Sequence, residues 1–112
     1  MSEENRRSPR YRTTAHVEMP KVPGGDGFLK NISITGCCVE CAGKVNIQPE
    51  TQYQLMIKPE KESHIGTFEL VVDCKWVRNE GRGTELGFGI MASPKGKQFQ
   101  YYVDYLAYRH HP

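Results

Sequence analysis

The chain has 112 residues, which is the length of one domain, and 38% hydrophobic with 25% charged residues is typical of a globular protein. Lys and Arg number 15 against 13 Asp and Glu, and this net charge of +2 argues against a protein that coats nucleic acid through bulk positive charge. Because the sequence has neither an apolar run of membrane-spanning length nor a secretory signal, we expect a cytoplasmic protein without membrane insertion.

The first half of the chain predicts an arm and three strands. Residues 1–10 are polar and rich in charge, and we expect them to form a flexible N-terminal arm. A first strand is predicted from Tyr11 to Met19, because alternate residues there form an apolar side. Turn-forming residues then cover positions 20–27. Two further strands are predicted over residues 28–32 and 37–41.

The second half contains the longest predicted strand. A fourth strand is indicated by the alternation of Tyr53, Leu55 and Ile57. The predicted core face of the next and longest strand carries Phe68, Leu70, Val72, Cys74 and Trp76. A hairpin loop over residues 78–84 leads into a sixth strand, in which Leu86, Phe88 and Ile90 share a face. Six strands with short turns predict a mainly β fold, a small antiparallel barrel whose closure removes the exposed sheet edges.

The C-terminal segment changes to a helical period. Ser93 and Pro94 are typical of an N-cap and a first helical position, so we predict a helix over about residues 94–109. Its apolar positions, which predict packing against the barrel, are Phe99, Tyr102, Val103, Leu106 and Ala107. The helix carries three further tyrosines, Tyr101, Tyr105 and Tyr108. We expect them to contact the barrel instead of forming a surface for a partner. Residues 11–112 are thus predicted to form a single barrel domain with its helix.

The four cysteines do not predict a metal site. Cys38 and Cys41 have a familiar ligand spacing, but in a strand their side chains point to opposite faces. No second pair of ligands follows, so we expect reduced cysteines packed as small hydrophobic residues.

Nothing in the sequence predicts an enzyme. None of the four histidines lies in a nucleophile or metal signature. The glycines from Gly81 to Gly89 lack the helix that a dinucleotide-binding loop requires, so they are assigned to a hairpin.

Two short motifs suggest binding of a compact anion. Arg6-Arg7-Ser8-Pro9-Arg10 contains Arg-x-x-x-Arg directly before the first strand, and guanidinium groups suit bidentate contact with phosphate or guanine. The second motif runs from Asn31 through Ser33 to Gly36, between two strands. Its side chains offer short hydrogen-bonding groups, and its glycine permits close backbone approach.

These two motifs, in this order around a six-stranded barrel, resemble the PilZ domain family. The resemblance extends from about Arg6 to the C-terminal helix and includes the late strand 85–90. It implies a single-domain receptor for the bacterial second messenger cyclic di-GMP, with no other cofactor. By the resemblance, the ligand-binding residues are Arg6, Arg7, Arg10, Asn31, Ser33 and Gly36. Asn31 replaces the family's commoner aspartate, and the direction of the Arg12 side chain depends on the alternation of the first strand.

The predicted function is that of a switch. We expect the arginine-rich arm to order over cyclic di-GMP and so to change a surface offered to a downstream partner protein, with no DNA involved. Two alternatives remain open: a ligand-free PilZ-like interaction module, and a small barrel that binds single-stranded nucleic acid. The sequence does not choose between a monomer and a homodimer, nor between one ligand and a stacked ligand pair.

Overall fold

The fold was determined from a computed structural model that describes residues 8–110, apart from the side chain of Glu80. Its strands are β1 (Tyr11–Arg12), β2 (His16–Glu18), β3 (Gly27–Ile32), β4 (Gly36–Cys41), β5 (Gln52–Lys58), β6 (Phe68–Glu80) and β7 (Gly83–Ala92). A short 3-10 helix covers Lys61–Ser63, and an α-helix, α1, covers Gln98–Arg109.

The strands form a closed antiparallel barrel. The sheet order is β1-β3-β2-β5-β6-β7-β4, and pairing of β3 with β4 closes the ring. β1 and β2 are two parts of the predicted first strand, because both pair with β3 and only residues 13–15 separate them. The prediction of a six-stranded barrel with a C-terminal helix is therefore confirmed.

The core lies inside the barrel, where alternate residues of each strand meet. The predicted inward positions of β2, β5 and β7 include fully buried residues such as Val17, Leu55 and Leu86, while Tyr53 and Ile90 are half-buried against the core. Removing a side chain of this size from water contributes about 1.5–3 kcal/mol, so these positions supply much of the stability of the fold. Helix α1 covers one side of the barrel, and its Tyr102 packs against Phe68 with a ring distance of 5.8 Å.

One core prediction is wrong. Trp76 was expected on the core face of β6, but its side chain is 41% exposed. A register shift between Cys74 and Trp76 inserts an extra residue, so that Cys74 pairs with Phe88 while Trp76 pairs with Gly87. This β-bulge turns Trp76 to the outside and lets Val77 pack against the core instead.

The predicted start of the helix is also wrong. Helix α1 begins at Gln98 instead of residue 94, while its end at Arg109 agrees with the prediction. The Ser93 hydroxyl donates to the Glu69 carbonyl at 2.6 Å instead of capping the helix. Gly96, with a φ of 73°, then changes the chain direction before the first helical turn.

The helix surface leaves two of the three remaining tyrosines in solvent. Tyr101 and Tyr108 are exposed, whereas Tyr105 is half-buried and stacks on Tyr102. The expectation of barrel contacts therefore fails for Tyr101 and Tyr108, while Tyr105 packs against the core cluster. In residues 8–110, no helix is both long and apolar enough to cross a membrane.

Candidate functional site

The turn between β3 and β4 is held from within by Ser33. Its backbone N–H donates to the Gly36 carbonyl at 2.8 Å. Its hydroxyl oxygen accepts from the backbone N–H groups of Thr35 and Gly36, both at 3.1 Å. Ser33 is fully buried, so its hydroxyl is committed to the shape of the turn. A direct contact of Ser33 with ligand stays a prediction.

Arg10 connects the two sequence motifs. Its guanidinium Nη1 donates to the Asn31 side-chain oxygen at 2.8 Å, although 21 residues separate them. The same guanidinium lies on the backbone of Gly36, where an added Cβ atom would come within 2.8 Å of Nη2. Only glycine leaves room for this approach. The structure therefore brings Arg10, Asn31 and Gly36 together, whereas Arg6 and Arg7 lie outside the described residues.

A row of residues across four strands continues the site away from Arg10. Asn31 on β3 pairs with Cys38 on β4, Cys38 pairs with Gly87 on β7, and Gly87 pairs with Trp76 on β6. The two central residues are small, so a shallow trough separates Asn31 from Trp76. The Trp76 ring lies directly on Gly87, because a Cβ atom at Gly87 would come within 2.2 Å of two ring atoms.

The trough belongs to a cavity of about 430 Å³ on the outer surface of the barrel. Arg10 and Asn31 line one side, and we call these residues together with Gly36 the Arg10 wall. Trp76 lies across the trough from Asn31. Gly87, Lys30, Arg78 and Glu85 also line the cavity, and we call these four residues together with Trp76 the Trp76 wall. Among residues 8–110, the lining carries four cationic side chains and one anionic side chain, which favours an anionic ligand.

The single carboxylate of this lining is buried and paired. The Glu85 side chain is only 5% exposed, and its two oxygens accept from Lys30 and Arg78. These hydrogen bonds lower the pKa of the Glu85 carboxyl, so it is ionised at neutral pH. The Arg78 guanidinium also lies 5.2 Å from the centre of the Trp76 ring, at a distance typical of a cation–π contact.

The PilZ domain family model matches residues 4–107. The chain belongs to the PilZ domain family. Its fold is similar to that of the Bacillus subtilis inhibitor of motility (MotI/DgrA), with a TM-score of 0.78 and 19% identity. That similarity covers 97% of this chain and 51% of the other, so this chain spans about half the length of that protein. No curated protein matches the chain.

The cysteines of this PilZ domain are free thiols in the described structure. Burial raises the pKa of Cys37 to about 12 and that of Cys38 to about 11, so both are protonated at neutral pH. Cys38 lies in the floor of the trough, where a small side chain is needed between Asn31 and Trp76. Within residues 8–110, no group of three or more His, Cys, Asp or Glu residues is arranged to hold a metal ion.

Arg12 pairs through its backbone with Asn31 of the Arg10 wall, but its side chain lines a different cavity. It lines a second groove of about 770 Å³, which also contacts Arg109 and His110 at the end of α1. The two arginines are therefore directed to different cavities, although one residue separates them in the chain. This makes Arg12 a natural control for Arg10.

All five residues of the Trp76 wall were missed by sequence reasoning, namely Lys30, Trp76, Arg78, Glu85 and Gly87. They come from β3, β6 and β7 and meet only through strand register. The one available signal was Trp76 with Arg78 two residues later, but the strict alternation of β6 placed this tryptophan in the core.

Proposed function

We propose that this PilZ domain is a cytoplasmic receptor for cyclic di-GMP that passes ligand binding on to a partner protein. The observation that carries the proposal is the position of Arg10, held against Asn31 and resting on Gly36 at the edge of a cationic cavity. PilZ domains are binding and adaptor modules, and no chemistry beyond binding is needed from this site.

The two walls suit the two parts of the ligand. A guanidinium such as that of Arg10 makes paired hydrogen bonds to phosphate or to the O6/N7 edge of guanine. The exposed face of Trp76 offers a platform on which a guanine base can stack. A compact dianion can contact both walls at once across the small-residue floor. Arg6 and Arg7 would add further contacts from the arm.

The connection of Arg10 to helix α1 supports a signalling role. Strand β1 follows Arg10 directly, and the next residue after it, Thr13, shares a hydrogen bond with the Tyr102 hydroxyl. That hydroxyl donates to the Glu60 carboxylate at 2.8 Å. The Tyr11 ring also lies 5.5 Å from the His110 ring at the end of the helix. Ordering of the arm when ligand binds would therefore change the contacts of α1. The exposed Tyr108 of this helix offers a surface for a partner.

Calorimetric titration with cyclic di-GMP tests the receptor. Wild type should bind, and Arg10→Ala should lose at least about 1–3 kcal/mol of binding free energy, the value of one bidentate arginine contact. Arg12→Ala is the matched control and should bind as wild type does, because Arg12 lines the other groove. No binding by wild type, or equal affinity of Arg10→Ala and wild type, would overturn the proposal. The stoichiometry would also distinguish one ligand from a stacked pair.

A second function is favoured by one observation. Trp76 is exposed between Lys75 and Arg78 on β6, and proteins that bind single strands combine an aromatic platform with basic neighbours in this way. The same titration with a short guanine-rich DNA strand separates the two functions. Tighter binding of the strand than of cyclic di-GMP would favour the nucleic-acid function.

A further inference from the structure

We propose that Lys75 is a further ligand-binding residue, and that its ammonium group contacts a phosphodiester of the ligand beside Arg10. This role rests on the proposed function, because the phosphodiester is that of cyclic di-GMP. Lys75 lines the cavity, but it belongs to neither wall and lies outside both sequence motifs. Its place in the site follows from the backbone of β6 and from a pair of glycines on β4 and β7.

Lys75 is the extra residue of the β-bulge that turns Trp76 outward. Its two neighbours on β6 pair with consecutive residues of β7, namely Cys74 with Phe88 and Trp76 with Gly87. A bulged residue is released from the regular alternation, and bulges commonly redirect a side chain next to a functional site. The Lys75 side chain is 60% exposed and lines the cavity. The bulge therefore brings both Lys75 and Trp76 to the same cavity.

Two paired glycines leave room for Arg10 and for Lys75. Gly36 of β4 pairs with Gly89 of β7, and paired residues of antiparallel strands point to the same face, with Cβ positions about 4.5–5.5 Å apart. A Cβ atom at Gly36 would lie 2.8 Å from Arg10 Nη2. One at Gly89 would lie 2.9 Å from Lys75 Cε and 3.8 Å from its Nζ. The two cationic side chains are therefore neighbours over the same glycine pair.

One carboxylate holds the Lys75 ammonium beside the cavity. Lys75 Nζ donates to Asp73 Oδ2 at 3.0 Å, and the two residues lie on the same strand. An ammonium group has three N–H donors, so it can keep this contact and also donate to a phosphate oxygen. Exposed ion pairs are weak, so the contact with Asp73 is also readily exchanged for a contact with ligand.

The position beside Arg10 indicates that the group bound by Lys75 is a phosphate. Two neighbouring cations repel each other, and an anion between them offsets this repulsion, whereas a neutral base does not. The negative charges of cyclic di-GMP lie on its phosphodiesters. A lysine ammonium is a compact charge that binds phosphate without the planar fork of a guanidinium, so Lys75 can complement the paired hydrogen bonds of Arg10.

Substitution of Lys75 tests this contact by calorimetry with cyclic di-GMP. Lys75→Gln should weaken binding at least about fivefold and make it less sensitive to salt, because a charge-assisted contact is lost. Lys58→Gln is the matched control, since Lys58 is 52% exposed and pairs with Glu18 at 3.2 Å. Lys58 lies on β5, which contributes no residue to the described lining of the cavity. The control should bind within about twofold of wild type.

Gly89→Ala tests the position of Lys75 without removing its charge. The added methyl group would meet the Lys75 stem, whereas the nearest backbone atom, the Asp73 carbonyl oxygen, lies 3.9 Å away. The flexible side chain should therefore move while the strand stays in place. We expect binding to weaken at least about threefold in the wild-type background and less than about twofold in the Lys75→Gln background. Circular dichroism establishes that each variant is folded.

The outcomes separate the role of Lys75 from the receptor itself. Wild-type binding that Arg10→Ala weakens, with equal affinity of Lys75→Gln and Lys58→Gln, would overturn this role and leave the receptor standing. No binding by wild type would overturn both. Weaker binding by Lys75→Gln with unchanged salt dependence would overturn the phosphate contact. An equal loss from Gly89→Ala in both backgrounds would overturn the position over the glycine pair. Should Gly89→Ala fail to fold, Lys75→Gln against Lys58→Gln decides the question.

Discussion

The two walls of the cavity are built in different ways. The Arg10 wall depends on a four-residue turn closed by Ser33 and on one hydrogen bond from Arg10 to Asn31, 21 residues further along the chain. The Trp76 wall depends on strand register, because its residues come from three strands and its tryptophan faces outward only through a bulge. One site can thus combine a wall whose residues belong to two short motifs with a wall whose residues only the strand register brings together.

Substituting a glycine in each wall, Gly36 or Gly87, should give the largest difference in unfolding free energy between the two walls. A Cβ atom at Gly36 would come within 2.9 Å of the Phe88 carbonyl oxygen as well as close to Arg10. Gly36→Ala therefore forces a backbone shift and should cost about 1–3 kcal/mol of unfolding free energy, along with ligand affinity. Gly87→Ala meets mainly the Trp76 ring, which can move into solvent, so its cost in unfolding free energy should stay below about 1 kcal/mol.

Urea denaturation of both variants measures this difference. Gly66→Ala is the control, because a Cβ atom there would meet nothing within 4 Å. Its free energy of unfolding should be unchanged or slightly higher, since alanine restricts the unfolded chain. Equal losses of stability in Gly36→Ala and Gly87→Ala would contradict the distinction between the two walls.

Trp76→Ala should separate binding from stability. The side chain is 41% exposed and does not belong to the core, so the free energy of unfolding should change little. Loss of the stacking platform should lower the binding free energy for cyclic di-GMP by about 1–3 kcal/mol. Trp76→Phe retains an aromatic face and should recover part of the affinity. A large loss of stability with unchanged affinity would place Trp76 in the core after all.

The ion cluster of the Trp76 wall should give a smaller, pH-dependent effect. Contacts with Lys30 and Arg78 hold the pKa of Glu85 below the ordinary value of 4.5. Their contribution to stability is therefore present above pH 4.5 and is lost as the pH falls through the lowered pKa. Glu85→Gln should be less stable than wild type at pH 7 by roughly 1 kcal/mol, because its partners stay partly solvated.

Denaturation at a series of pH values checks the direction of this pH dependence of stability. The difference between wild type and Glu85→Gln should shrink as the solution is made acidic, because wild type then loses the same ion pairs. A difference that stays constant from pH 7 to pH 3 would show that packing, and not the charge of Glu85, accounts for the loss.

Much of the fold could be predicted because strands in a closed barrel alternate between core and solvent. The alternation fails where the backbone leaves the regular pattern, at the bulge before Trp76 and at Ser93, whose hydroxyl bonds to a neighbouring strand. Both exceptions depend on contacts between strands distant in the chain, which local sequence patterns do not contain.

The residues of the site also differ in whether local sequence patterns could predict them. Arg10, Asn31 and Gly36 could be predicted together because the two motifs that contain them resemble those of the PilZ domain family. Lys30 and Glu85 could not, because 55 residues separate them and their contact exists only once β3, β4 and β7 have paired. The bulge on β6 then adds Arg78 to the same cluster.

The most direct test of a ligand that contacts both walls uses the chain's single tryptophan. Because Trp76 lines the cavity, its fluorescence reports binding at that wall with no added label. Titration with cyclic di-GMP should change the emission in a saturable way, and Arg10→Ala on the opposite wall should move the curve to at least about fivefold higher ligand concentration. Calorimetric binding without any change in Trp76 emission, or identical curves for wild type and Arg10→Ala, would contradict this account.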